Sequence, residues 1–306
     1  MNSCSSNLWS RRGNAAGAAA RTNPPPPVGD YASVRRCRPL LGTFVEITAS
    51  GLNETALASA MDAAFAAVEG IQNLLSAHDP ASELSRLNRE AASHAVRVSP
   101  MTFAMLRCAD QLAAESGGAF DYSVAPTLAA WGLRSANLHR KNPGNWRDVR
   151  LLRGRKVLFL RPLALDLGGI AKGFAVDAAV DVLRARGVKS AVVNAGGDLR
   201  VFGPQPSIIH LRHPAAPQSF AQTINLQGAA LATSSPCFTE RSWHGQRVSH
   251  LVNPLRSVAI TGPVSVTVRA RECWLADALT KVVLNAPRRA EEILCRHGAE
   301  AFVLTA

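Results

Sequence analysis

Aromatic residues are scarce in this 306-residue sequence: Phe, Trp and Tyr together make up 6%, and tyrosine occurs twice. A basic surface interleaved with aromatic rings, the mark of a nucleic-acid binder, is therefore missing, and no nucleic-acid partner is expected. No apolar run approaches the roughly 18 residues that span a bilayer, so membrane insertion is not expected either. The six cysteines, at positions 4, 37, 108, 237, 273 and 295, form no C-x-x-C pair and no zinc spacing. They read as small buried hydrophobes rather than a disulfide framework, which leans toward a reducing compartment. Acidic residues are in deficit, with 22 Asp and Glu against 34 Lys and Arg, a net charge of +12. Residues 1–40 carry six arginines and Asp30 alone among acids, so about half of the excess lies outside the leader region. A basic body of this kind suits an anionic small ligand such as a phosphate.

What is present is ordinary for a globular chain: 47% hydrophobic and 18% charged residues, enough for a sizeable core. Residues 1–34 read as a disordered leader, rich in Ser, Ala, Gly and Arg and ending in Pro24–Pro27. Ala15–Ala20 is too short and too weakly apolar for a secretory signal, Arg11-Arg12 lacks a following hydrophobic segment, and Cys4 lacks a lipobox. The expectation is a cytoplasmic protein with one domain over 35–306.

Within that domain, Leu40–Ala49 reads as a strand with Val45 and Ile47 on one face. Leu57, Met61, Ala64, Val68, Ile71 and Leu75 form one helical stripe over 55–76. Ser99-Pro100 opens a second helix that Gly117-Gly118 ends. Strands are expected at 156–160, 190–194, 264–268 and 301–304, with several short β-segments between 199 and 251. Helices are expected at 172–186, at 274–284 and from Pro287. Strands and helices without regular alternation indicate a mixed α/β (α+β) architecture in a single unit.

Four segments carry possible chemistry. Asp166–Gly173 places glycines before a helix, where backbone N–H groups and the helix dipole favour a phosphate; Lys172 adds a cation. It is neither a Walker A loop nor G-x-G-x-x-G, and a tight strand-to-helix turn is the plainer reading. Asn194–Asp198 ends an apolar strand with a glycine pair, fit for a close ligand approach or for a simple hairpin. Asp277, Thr280 and Lys281 share one helix face, and from spacing alone they suit a solvated ion pair. His250, in Ser249–Pro254, and the nearby Thr233-Ser234-Ser235 are more often structural than catalytic in such settings.

Taken in order, Leu41-Gly42-Thr43, Ser82–Asn88, Gly118–Asp121, Trp131-Gly132, Asp166–Gly173, Asn194–Asp198, Ala232–Ser234, His250–Pro254 and Asp277–Leu279 resemble the ApbE family of FAD:protein FMN transferases over about residues 38–304. The resemblance implies a compact α/β unit that binds FAD in a groove. With a divalent cation, usually Mg²⁺, it would cut the pyrophosphate and move FMN onto a threonine of an acceptor flavoprotein subunit, releasing AMP. By position, Leu41 and His78 are implied beside the flavin, and Ala119, Phe120 and Asp121 along the adenine and flavin groove. Asp166, Lys172 and His250 are implied as cofactor contacts, His250 also as a proton relay. The Gly169 carbonyl and Asp277 are implied as metal ligands. Three departures stand out: His78 where the family usually has Tyr, Asn253 where Asp usually precedes Pro, and Lys281 where a Thr or Asp ligand is usual. An ammonium cannot ligate a metal. Lys281 is therefore expected to occupy or border the metal position beside Asp277 and the FAD phosphates, with Thr280 as the alternative ligand. A protein that only holds FAD, and an FAD pyrophosphatase yielding FMN and AMP, remain open alternatives.

Overall fold

A computed structural model describes residues 33–76 and 79–306. The chain opens on β1 (Val34–Leu40) and β2 (Thr43–Ser50), joined by Leu41-Gly42. Both linking residues have positive φ, 58° and 69°, the backbone that matches the twist of a two-residue hairpin. Sequence pattern starts one strand at Leu40; in the structure Leu40 ends β1, the chain turns at Leu41-Gly42, and β2 begins at Thr43. Arginines hide β1. Arg36 and Arg38 lie over α1 (Glu54–Leu75), both pairing with Asp62, and Arg38 stacks 4.6 Å above the Phe65 ring. Their aliphatic stems cover apolar surface while their charges stay wet, so an edge strand of the sheet reads as a charged run.

The stripe from Leu57 to Ile71 is buried as its spacing predicts, and Asn53 caps α1 by accepting from Ala56 N at 2.9 Å. Next come α2 (Glu83–Glu90), β3 (Val96–Arg97) and α3 (Pro100–Glu115), whose Ser99 cap accepts from Thr102 N at 3.2 Å. The chain continues through α4 (Ala125–Ala130), β4 (Val149–Leu152), β5 (Lys156–Phe159) and α5 (Ala171–Ala185). A run of strands follows: β6 (Ser190–Ala195), β7 (Asp198–Phe202), β8 (Ser207–Arg212), β9 (Phe220–Leu226), β10 (Ala230–Ser234), β11 (Arg241–Trp243), β12 (Gln246–Val248), β13 (Val252–Asn253), β14 (Val258–Ala259) and β15 (Val264–Ala270). The last elements are α6 (Cys273–Asn285), α7 (Pro287–Arg296) and β16 (Glu300–Thr305).

Seven strands form one antiparallel sheet in the order β1-β2-β6-β7-β10-β15-β16. Strand alternation sends Ala230 and Ala232 into the core shared with α1, α5 and α6. The opposite face of the same strands sends Leu199, Val201 and Leu231 against Leu211, Ile224 and Leu226 of the β8–β9 hairpin. The sheet is thus covered on both faces, which explains why every residue of β7 is buried. No helix among the described residues is long and apolar enough to cross a membrane.

Two features hold α5, α6 and the sheet in fixed relation. Asp177 of α5 accepts from Cys273 N (3.0 Å), Trp274 N (2.9 Å) and Arg200 Nη1 (2.6 Å), so one buried carboxylate caps α6 and pins β7. Gly173 lets α5 touch the start of α6: a Cβ there would lie 2.3 Å from the Cys273 carbonyl oxygen. The cysteines are free among the described residues, but Cys273 alone is buried, while Cys37 and Cys295 are exposed. The expectation of buried hydrophobes fails for these two because Cys37 sits on the solvent side of the edge strand β1 and Cys295 lies off the buried Ala290, Ile293 and Leu294 stripe of α7.

Candidate functional site

A cavity of about 1050 Å³ opens between the N-terminal hairpin, the loop after α3, the start of α5, the β8–β9 hairpin and α6. Its lining mixes apolar and polar groups. Leu41 stands on the tight β1–β2 turn, its N–H held by Gln72 Oε1 at 2.5 Å. Ala119 and Phe120 follow the glycine pair that ends α3, with Phe120 N donating to Ser116 Oγ at 3.0 Å. These residues and Leu128 supply apolar lining. Asp121 also faces the cavity. Burial pushes its carboxyl up, and two bonds from Ser123 pull it back.

The rest of the lining includes a polar, glycine-rich stretch that Phe120 borders, its ring 3.4 Å from a Cβ built on Gly169. Asp166 shapes it: Oδ1 accepts from Gly168 N at 2.8 Å, and Oδ2 accepts from Arg134 Nε at 2.6 Å. The Gly168-Gly169 backbone therefore faces the cavity in a fixed pose before α5, whose N-terminus has no side-chain cap. Such a terminus favours an anion. Lys172, one residue into α5, pairs with Asp198 and lies 3.8 Å from Asp277 Oδ2. Burial lowers the Lys172 pKa below the ordinary lysine value, with the Lys281 charge adding to that and Asp277 opposing it. Asp198 is delivered by the Gly196-Gly197 turn, where Asn194 Oδ1 accepts from Gly197 N at 2.9 Å and both glycines have positive φ.

Behind this wall, α6 turns Asp277, Thr280 and Lys281 inward. The solvated-pair reading is overturned: Asp277 is 1% exposed and Thr280 is fully buried. Helix spacing cannot tell an outward face from one that closes a cavity. Asp277 Oδ1 is held by the Lys281 ammonium, and Oδ2 accepts from Gly173 N at 3.3 Å. Burial pushes the Asp277 carboxyl up, but Lys172 and Lys281 pull it further down, so it stays ionised. Thr280 Oγ1 donates to Asp277 O at 2.6 Å and shares a 2.7 Å bond with Ser234 Oγ. Lys281 and Lys172 reach the cavity wall; Asp277 and Thr280 stand one layer behind them.

His250 borders the cavity at its exposed rim, within electrostatic reach of Arg134, Asp166 and Arg241. Desolvation by the wall and then the Arg134 charge lower its pKa below the ordinary 6.5. His78 lies outside the described residues. Sequence reasoning missed Arg134, which has no motif around it, and Asn285. The Asn285 amide donates to Ala119 O (2.9 Å) and Val252 O (3.1 Å), tying the end of α6 to two lining loops. Asp198 was visible as part of its glycine motif, though not as the partner of Lys172.

Leu41, Ala119–Asp121, Asp166, Gly169, Lys172, His250 and Lys281, spread over some 240 residues of sequence, thus surround one space. The ApbE family model matches residues 41–303. This chain belongs to the ApbE family. An ApbE relative in Vibrio cholerae, an FAD:protein FMN transferase, is 29% identical over 229 residues, 69% of each chain. One from Klebsiella pneumoniae with the same activity in its name is 26% identical over 76% of each chain. A Rhodobacter capsulatus FAD:protein FMN transferase is 30% identical over 86% of this chain and 52% of its own length. The crystal structure of the ApbE protein of Thermotoga maritima superimposes with a TM-score of 0.77 at 26% identity, covering 89% of this chain and 93% of that one. The flavin transferase ApbE of Vibrio cholerae shares the fold with a TM-score of 0.74. The mixed α/β unit expected from sequence is the ApbE fold.

Proposed function

We propose that this ApbE-family protein is an FAD:protein FMN transferase that moves FMN from FAD onto a threonine hydroxyl of an acceptor flavoprotein. The observation that carries the reading is one cavity lined by both apolar and phosphate-binding groups. Leu41 and Phe120 suit an isoalloxazine or adenine ring, and the Gly168-Gly169 backbone with Lys172 and Lys281 suits a diphosphate. At about 1050 Å³ the space stands at the upper end of ligand pockets, roughly 300–1,000 Å³, as a dinucleotide requires.

The reaction then follows from charge and position. The threonine oxygen attacks the flavin-side phosphorus; the bond from that phosphorus to the bridging oxygen breaks; AMP carries the bridging oxygen away; the hydroxyl proton passes to a base. Catalysis of this kind is mainly alignment and stabilisation of the oxygens' charge. Backbone N–H groups at the start of α5 and the two lysines supply that stabilisation. Asp166 positions Gly168 and Arg134. His250, neutral near pH 7 because its pKa is lowered, is the proton acceptor at the rim, and Asp277 sets the pose of both lysines.

Magnesium is a general feature of the family, and Gly169, Asp277 and Thr280 are the residues it would need. They do not fit it as they stand. Both Asp277 oxygens and the Thr280 hydroxyl are engaged within the protein. Among the described residues no group of three or more His, Cys, Asp or Glu could hold a metal ion. The free cysteines are consistent with action in the cytoplasm.

The test is incubation with FAD and candidate acceptor flavoproteins, read by mass spectrometry of the acceptor and by AMP release. A threonine carrying FMN, with one AMP per modification, is the expected result. AMP without acceptor would mean hydrolysis, and bound but intact FAD would mean a carrier; either replaces the proposal.

A further inference from the structure

The centre of the phosphate-facing wall is a closed set of four charges. Lys281 touches Asp277, Lys172 touches Asp198 and stands near Asp277, and the two carboxylates show 1% and 2% side-chain exposure. The lysines keep more access, 16% and 33%, and they alone of the four reach the cavity. Lys281 Nζ also donates to the Asp277 carbonyl at 3.0 Å, so the ammonium is tethered twice to one residue. Its stem runs against Gly169: a Cβ built on that glycine would meet Lys281 Cε at 3.4 Å. The ammonium is thereby held between the glycine loop and α6.

A hard divalent cation in this space would need about six oxygen ligands and would sit beside two ammonium groups already neutralising the available carboxylates. Coulomb repulsion between a divalent ion and an ammonium a few ångströms away exceeds that of an ordinary like-charge pair about twofold. Two lysines, by contrast, carry six N–H donors; one goes to Asp198 and two to Asp277, which leaves up to three for phosphate oxygens, and lysine binds phosphate well as a point charge.

We propose that Lys281, with Lys172 beside it, takes the place of a divalent cation, so that this chain grips the FAD diphosphate and transfers FMN without a bound metal. The inference rests on the reading of the cavity as an FAD site. In the transfer step the lysines hold the non-bridging oxygens while the phosphorus–bridging-oxygen bond breaks; they neither gain nor lose a proton overall.

The test is equilibrium dialysis of Mn²⁺ against the FAD-loaded protein, with FAD affinity measured by flavin fluorescence in EDTA and in Mg²⁺. The native protein is expected to retain no stoichiometric Mn²⁺, and its FAD affinity is expected to change less than about twofold between the two conditions. Lys281→Thr is expected to bind one Mn²⁺ and to gain about tenfold in FAD affinity with Mg²⁺. Lys281→Met, which removes the charge without adding an oxygen, is expected to bind FAD about tenfold more weakly in both conditions. One Mn²⁺ held by the native protein, or FAD binding that collapses in EDTA and returns with Mg²⁺, overturns this inference and leaves the transferase reading standing. Absence of FAD binding in every condition overturns both.

Discussion

Replacing Gly173 by alanine pits helix propensity against packing, and the distances decide the outcome. In a helix interior alanine is favoured over glycine by about 1 kcal/mol. At this position, though, the new methyl would stand 2.3 Å from Cys273 O, 2.5 Å from Cys273 C and 2.7 Å from Trp274 Cα, against 3.4–4 Å for ordinary contact. All three atoms are backbone, so no side chain can rotate away; α5 and α6 must part by about 1 Å in a close-packed interior. Overpacking of this kind costs roughly 1–3 kcal/mol, and the rigid partner puts it at the upper end. The net loss is about 1–2 kcal/mol. With a urea slope near 3 kcal/mol per molar, the midpoint should fall by roughly 0.3–0.7 M with the slope unchanged. The same displacement breaks the 3.3 Å bond from Gly173 N to Asp277 Oδ2 and shifts Lys172, so FAD should bind about tenfold more weakly, the equivalent of about 1.4 kcal/mol. Gly70, exposed in α1 with nothing within 4 Å of an added Cβ, is the control. Gly70→Ala should stabilise by about 0.5–1 kcal/mol and leave FAD binding alone. Equal midpoints for the two variants, or native FAD affinity in Gly173→Ala, would refute the claim that backbone contact between the helices sets the site.

Other consequences can be measured separately. Asp177→Ala leaves Arg200 buried without its partner and uncaps two N–H groups of α6; unfolding by denaturant should show a loss of about 3–5 kcal/mol. Because the His250 pKa is lowered, the imidazole is protonated only below about pH 6.5. The acid limb of kcat/KM should have its midpoint under that value and disappear in His250→Gln; a midpoint above it contradicts the assigned role. Asp166→Asn retains an oxygen for Gly168 N–H but loses the charge that holds Arg134. FAD affinity should fall about tenfold while thermal stability changes little, a split that calorimetric titration and a melting curve together resolve.

Much of the scaffold was legible because single patterns specify it. The α1 stripe, the Ser99-Pro100 opening of α3 and the β-branched β15 follow from local periodicity and capping, and the structure has them where those signals put them. Edge strand β1 was not legible, since the middle two of its four inward positions are arginines, Arg36 and Arg38, whose stems do the work of apolar side chains. In the site, the glycine motifs at 168–169 and 196–197 announced unusual backbone but could not say that their neighbours Lys172 and Asp198 would meet. Spacing placed Asp277 and Lys281 on one face and could not reveal that the face closes a cavity. Arg134 is invisible in sequence because its role is set by a carboxylate 32 positions away.

The antiparallel sheet joins strands distant in sequence: β2 lies beside β6, and β10 between β7 and β15. A cleft stitched from such remote pieces has no local precursor, so ligand capture reports completion of the entire topology. Folding should accordingly be slow for a chain of this size, and occupancy by nucleotide should raise the melting temperature by mass action on the finished state alone.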